Sequence, residues 1–344
     1  MQYTEYPKYT EYPNAYSQTI KYNSYSKLTE NNKINNLSKK NILIYPHLNF
    51  NLTDGGTTVQ YYLAKLLDEA GEMVRMHPNK GSDNNKLFNK YYNNDFQIDE
   101  NSVVIYCEGI GGNPLNAPNV VRWMLSERGQ NTPYDIVDTW GKNELIYFFN
   151  SEKMINENPE KQGNIYKFLT IIYLDDEIKK YNTELKRENY CHSFRKTQIH
   201  KNGFNIIHPP DSFEVTRNHS QKDCVDIFNR YEYFICYDPL SFIIIMAAIC
   251  GCISIVCPIH GIDELTWIKM GGTKEYIEEN NITKLYGIAY GLENIEWAKS
   301  TLHLVKQQWE DITNYYVNKH IPKFIKDINN FHENQNTIEN VFYK

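Results

Sequence analysis

Apolar positions in this chain fall into short runs, and their spacing predicts alternating strands and helices. "KNILIYP" (Lys40 to Pro46) reads as a buried strand. "DGGTTV" follows, with Asp54-Gly55-Gly56 as a glycine turn and Thr57 or Thr58 as a cap. Val59 to Leu67 then repeats apolar residues at helical spacing until Gly71. "MVRMHP" predicts the next strand. Val103 to Cys107 predicts another, followed by a glycine loop and a helix over Asn119 to Glu127. "ELIYFF" (Glu144 to Phe149) is again strand-like. The polar stretch from Asn150 to Asn164 reads as a linker. Beyond it "FLTIIYLDD", "FNIIHP", "YEYFICY" and "CISIVCP" predict a second set of strands, and helical sequence from Ile295 to Phe331 closes the chain.

The most apolar stretch, "YDPLSFIIIMAAICGCISIVCP" (Tyr237 to Pro258), carries no charge from Phe242 to Cys257. A membrane span needs roughly 20 apolar residues, and this run is shorter and broken by Gly251. It reads instead as a βαβ unit. Asp238-Pro239 is expected to cap a short buried helix over Phe242 to Ile249, Gly251 to end it left-handed, and Cys252 to Val256 to form a strand. The carboxyl end of the strand before such a helix is where parallel sheets bind ligands.

This order predicts an α/β protein of two doubly wound parallel-sheet domains facing a cleft. The expected division is an arm over 1–40, poorly ordered or docking, a first domain over 41–160, a second over 161–305, and helices over 306–344 packing back toward the first. The arm repeats itself, "YTEYPK" then "YTEYPN", and is rich in Tyr and Asn without apolar period.

Bulk properties narrow the function. The 344 residues are 41% hydrophobic, enough for two cores. A net charge of −6 and a pI near 6.0 leave no footprint for nucleic acid. The seven cysteines include no CxxC pair and read as apolar fillers in a reducing compartment. No apolar leader begins the chain, so a cytoplasmic protein without a transmembrane segment is expected.

Several motifs fail on inspection. "EGIGGNP" places Pro114 where a dinucleotide fingerprint needs its third glycine, and "DGGTTV" lacks the spacing altogether. There is no P-loop, nucleophile elbow or D-x-D triplet, and the ten histidines show no metal-ligand spacing, so no metal or cofactor is expected. The pair Arg195-Lys196 in "CHSFRKTQIH" suits a diphosphate or, equally, a solvated surface. Glu108 and Asn113 suit sugar or acceptor hydroxyls, or the ordering of their own loop. The backbone N–H groups of Leu240 and Ser241, at a buried helix start, suit negative charge, and Ser241 adds a hydroxyl.

Three segments, "EGIGGNPLNAPNVVRWML", "RYEYFICYDPLSFIIIMAAICGCISIVCP" and "YGIAYGLENIEWAKSTLHLVKQQWEDI", in this order and spacing resemble a family of nucleotide-sugar glycosyltransferases of GT-B fold that build surface polysaccharides. The resemblance covers roughly residues 41 to 325. It implies two Rossmann-like domains, a nucleoside-diphosphate sugar donor of UDP or GDP type held by the second, and a glycan or other hydroxyl acceptor met by the first. It implies metal-independent transfer, with retention of configuration slightly favoured. Arg195 and Lys196 match the family's diphosphate-binding pair, and Gly55, Gly56 and Thr57 match the loop facing the donor phosphates. Asp238 matches the first carboxylate of the donor-site helix, and Glu108 joins it as a catalytic candidate. Met246 stands where many retaining members have a second Glu and cannot accept ribose hydrogen bonds, so ribose recognition must differ. The alternative from another class is a catalytically inactive GT-B-like module that binds nucleotide or glycan. A homodimer is compatible with either.

Overall fold

The computed structural model describes residues 39–47, 55–77, 88–92, 96–126, 128–129, 131–150, 167–181, 186–194, 206–270, 272–336 and 341. The Tyr-rich arm lies outside these residues. Residues from Ser38 onward form one compact unit built on two parallel sheets.

The first sheet contains β1 (Asn41–Tyr45), β2 (Met73–Met76), β3 (Ser102–Cys107), β4 (Asn119–Met124), β5 (Leu145–Phe148) and β6 (Lys167–Phe168), in the order β2-β1-β3-β4-β5-β6. Ile44 lies opposite Met76 on one side and Ile105 on the other. Between β1 and β2 runs α1 (Gly55–Glu69), with Leu63, Leu66 and Leu67 on its buried face.

The second sheet contains β7 (Glu188–Ser193), β8 (Phe213–Glu214), β9 (Tyr231–Cys236), β10 (Ile253–Val256) and β11 (Ile288–Tyr290), in the order β11-β10-β9-β7-β8. Its helices are α2 (Gln221–Arg230), α3 (Ile243–Ile249), α4 (Glu264–Met270), α5 (Lys274–Glu279) and α6 (Ile295–Thr301). A capping box of Ser220 and Asp223 starts α2. Gly251, at φ +88°, ends the α3 turn and passes the chain directly into β10.

Long α7 (Val305–Asn329) and short α8 (Phe331–Asn334) finish the fold. Trp309, Ile312 and Tyr316 of α7 pack in the second sheet's core. Farther along, Phe324 meets the Tyr147 ring edge-on at 5.0 Å, and Asp327 accepts from the Tyr147 hydroxyl (2.6 Å) and the Lys167 ammonium (2.8 Å) of the first sheet. Asn336 pairs with both the N–H and the carbonyl of Ile146.

Numbered within themselves, both sheets run 2-1-3-4-5, and the first adds a sixth strand. Two parallel, Rossmann-like α/β sheets are therefore present. No helix among the described residues is long and apolar enough to cross a membrane.

Four local expectations are corrected. Asn119 to Met124 is a strand, not a helix: every residue is buried between β3 and β5, and its β-branched apolar side chains fill both faces of the sheet. "FLTIIYLDD" contributes only Phe168, in the two-residue strand Lys167–Phe168 of the first sheet, which thus extends past residue 160. The Thr170 N–H then turns to His320 Nδ1 (2.9 Å) and the chain leaves the sheet. The described part of "FNIIHP" is not a strand, because the N–H groups of Ile207 and His208 bond the Tyr237 hydroxyl. Gly55 and Gly56 are the first turn of α1 rather than a turn before it.

Candidate functional site

A 2-1-3-4-5 sheet reverses direction between its first and third strands, and ligands bind outside the carboxyl ends at that point. The second sheet reverses between β7 and β9. There Phe194 stacks on Tyr237 at 4.4 Å and 13°, while His192 and His208 stack at 3.6 Å and 7°. The Tyr237 hydroxyl accepts from the N–H of Ile207 (2.8 Å) and of His208 (3.2 Å) and pairs with His208 Nδ1 at 2.8 Å. With both N–H donors arriving, the phenol proton goes to His208 Nδ1, which leaves the proton of a neutral imidazole on Nε2. Burial lowers the His208 pKa and raises that of Tyr237, so both are neutral near pH 7. Ser212 reaches His192 Nδ1 at 2.9 Å. The returning segment 206–212 is thus pinned across the end of β7.

Asp238 follows β9 after Tyr237 at this point and is 5% exposed. It is not the cap of α3, which corrects the expected helix start. The Ser241 N–H bonds the Asp238 carbonyl (3.0 Å) in a separate turn, and the helix begins at Ile243 after Phe242. Pro239 disfavours helical backbone at Asp238, and Leu240 in the turn is exposed. The Ser241 N–H is therefore already used, and the expected pair of free helix-start donors is not formed. Met246 faces the apolar core. The turn is braced from outside, where Trp267 stacks on Tyr290 and donates its indole N–H to the Pro239 carbonyl at 2.7 Å. Tyr290 in turn accepts from the Ile259 N–H and donates to the Ile262 carbonyl, fixing the loop after β10. Arg195 and Lys196 come next in the chain after Phe194, at the carboxyl end of β7, but lie outside the described residues.

The first sheet reverses between β1 and β3. His47 follows β1 and lies against Gly109, where an added Cβ would sit 3.0 Å from its Nδ1. Gly55 faces open space and Thr57 is buried in the first turn of α1. Glu108 is buried, and its carboxylate accepts from the Leu125 N–H (2.9 Å) and the Ser126 hydroxyl (2.6 Å). Asn113 Oδ1 accepts from the Tyr106 hydroxyl and the Ala117 N–H. Both residues order loops, the second of the two readings open to them.

One feature escaped sequence reasoning. Arg122 on β4 is fully buried and bidentate to Glu144, at 2.6 and 3.0 Å. Its other N–H groups donate to the carbonyls of Ile110 (2.9 Å) and Gly112, and the rings of Tyr106 and Trp140 flank it at 4.9 Å each. The "GIGG" loop at the carboxyl edge is therefore rigidly held. A cation in the middle of an apolar strand was the available signal.

The two lobes touch where Gly272, in the β10–β11 connection, meets Phe149 and Asn150 at the carboxyl end of β5. All seven cysteines are buried and outside any disulfide. Burial pushes the Cys107 and Cys250 thiols up to about 12, so neither is a thiolate. Among the described residues no group of three or more His, Cys, Asp or Glu could hold a metal ion. The chain matches none of the models of known protein families, and a comparison with curated proteins likewise finds no match.

Proposed function

We propose that the chain is a glycosyltransferase of GT-B architecture that moves a sugar from a nucleoside-diphosphate donor to a hydroxyl acceptor. The observation that carries this reading is the second sheet's switch point. Buried Asp238 follows β9 there, a tight turn leads into an apolar helix, and Gly251 returns the chain to β10. The same strand order in both sheets, and the contact of Gly272 with the carboxyl end of β5, support two lobes that work on one substrate pair.

On this reading the diphosphate leaves against Arg195 and Lys196, whose charges offset those developing on it. The Asp238 carboxylate faces the sugar, where it stabilises positive charge at the anomeric carbon. The braced turn over 238–241 and the rigid "GIGG" loop hold the two reactants in register and keep water out. Transfer is metal-independent, with retention slightly favoured.

The commitment of Glu108, Asn113 and the Ser241 N–H to structural bonds favours a second reading, a module that binds a nucleotide or glycan without turnover. A thermal-shift panel of UDP, GDP, TDP and CMP compounds tests both, because a ligand at 100 times its dissociation constant adds about 2.7 kcal/mol. No shift with any nucleotide would count against both readings. A shift without nucleotide-sugar hydrolysis would leave the binding module.

A further inference from the structure

We propose that the second lobe carries an anion site on the edge opposite its switch point, shaped for a small phosphate-bearing molecule. The site does not rest on glycosyl transfer. Arg187 stands just before β7 and Gly251 just before β10, so this is the amino edge of the sheet. Four residues of β10 separate it from the carboxyl edge, about 13 Å.

A cavity of about 410 Å³ opens there, within the size range of small-molecule sites. Lys179, Lys180, Lys299, His303 and Lys306 line it. They come from two separate parts of the chain, the segment before β7 and the α6–α7 junction, and the fold alone brings them together. Ala248, Leu302 and Val305 give it an apolar floor.

The lysines are not there to cap helices. Arg187 already donates to the carbonyls of Phe228 and Cys250, at the ends of α2 and α3. Three of the lysines are held by surface glutamates and one is not. Lys179, Lys299 and Lys306 meet Glu177, Glu296 and Glu310 at 3.8, 3.4 and 3.7 Å, and Lys180 has no ion pair among the described residues. The Lys180 stem crosses Gly251, where an added Cβ would sit 2.9 Å from its Cδ. The positive charge of Lys180, which has no carboxylate beside it among the described residues in a chain of net charge −6, is left for an anion to offset. Ammonium groups bind phosphate as point charges, and the apolar floor receives a carbon portion.

The test is reductive methylation of the full chain with and without pyrophosphate, read lysine by lysine by mass spectrometry. Lys180, Lys299 and Lys306 should be protected, while Lys222, 83% exposed on α2, reacts at an unchanged rate. In the K180A/K306A double variant, pyrophosphate affinity should fall about a hundredfold, the effect of losing roughly two charged hydrogen bonds, with melting temperature unchanged. Vesicles of phosphatidylcholine with and without phosphatidate form the second arm. Protection by phosphatidate vesicles alone would assign the site to a lipid headgroup, and protection by pyrophosphate to a free phosphate compound. Equal rates at Lys180 and Lys222 in both arms, or undiminished pyrophosphate binding by the double variant, would overturn the proposal.

Discussion

Arg122→Met removes one half of a buried ion pair and should be among the most destabilising single changes in the chain. The Arg122 side chain is fully buried and that of Glu144 is 5% exposed, so neither charge is screened by water. Without the guanidinium, Glu144 keeps only the Gly141 N–H, at 2.9 Å. The Gly112 carbonyl loses its donor, while Ile110 retains the Trp140 indole at 3.2 Å. Breaking such a pair typically costs about 3–5 kcal/mol, and one orphaned carbonyl about 1–3 kcal/mol more if it stays buried. Because the freed loop can relax toward solvent, a loss of about 4 kcal/mol is expected. Glu144→Leu added to Arg122→Met removes the stranded carboxylate and should recover a large part of that loss. Urea denaturation followed by tryptophan fluorescence measures both variants. A loss under about 1 kcal/mol in the single variant, or a double variant no more stable than the single, would refute the description of this pair as a coupled buried network.

Three further outcomes follow from the same geometry. The hydrogen bond from His320, with Lys319 beside it, holds the Glu275 carboxyl down to about 2, against burial that raises it. Its folded pKa lies below the unfolded value, so this contribution is present above about pH 4.5 and fades as pH falls toward 2. Glu275→Gln should therefore flatten the stability curve between pH 5 and 2, and curves parallel to wild type would contradict the bond. Ala247→Leu, at a fully buried position of α3, should lower stability by about 1–3 kcal/mol through overpacking, with turnover per folded molecule unchanged. Arg195→Ala and Lys196→Ala should each weaken nucleotide binding about ten- to a hundredfold by calorimetry, and unchanged affinity in both would remove the pair from the site.

Where side chains are apolar and the local period is clean, the sequence read correctly. Asn41–Tyr45, Ser102–Cys107 and the run from Tyr231 to Val256 are strands and a helix whose burial matches their composition. Gly251 is legible because only glycine adopts φ +88° without strain. Other elements were hidden by what the fold does to them. "NVVRWM" reads as a helix only if β–α alternation is assumed. In the fold β3 and β4 are joined by a loop, and Arg122 is neutralised from β4's neighbouring segments. "ENYCHS" looks polar, yet its last three residues are buried, because the Ser193 hydroxyl bonds the Val215 carbonyl and His192 reaches Ser212. Beyond Phe168, "LTIIY" is apolar because Leu169 and Ile171 are buried as the chain leaves the first sheet, not because it is a strand. At the switch point, the place of Asp238 after a buried strand was legible. The partner set of Tyr237 was not, since His208, stacked on His192, reaches it from a distant segment.

The central claim is that Asp238 at the second switch point acts on a sugar nucleotide. The most direct measurement is release of nucleoside diphosphate from UDP- and GDP-sugars without acceptor, for wild type beside Asp238→Asn, with melting temperatures in parallel. The account predicts slow release by wild type with at least one donor. Release should be about a hundredfold slower in the variant, as for loss of a preorganised transition-state contact, at an unchanged melting temperature. Equal release by both proteins, or none from any donor that binds, would contradict it.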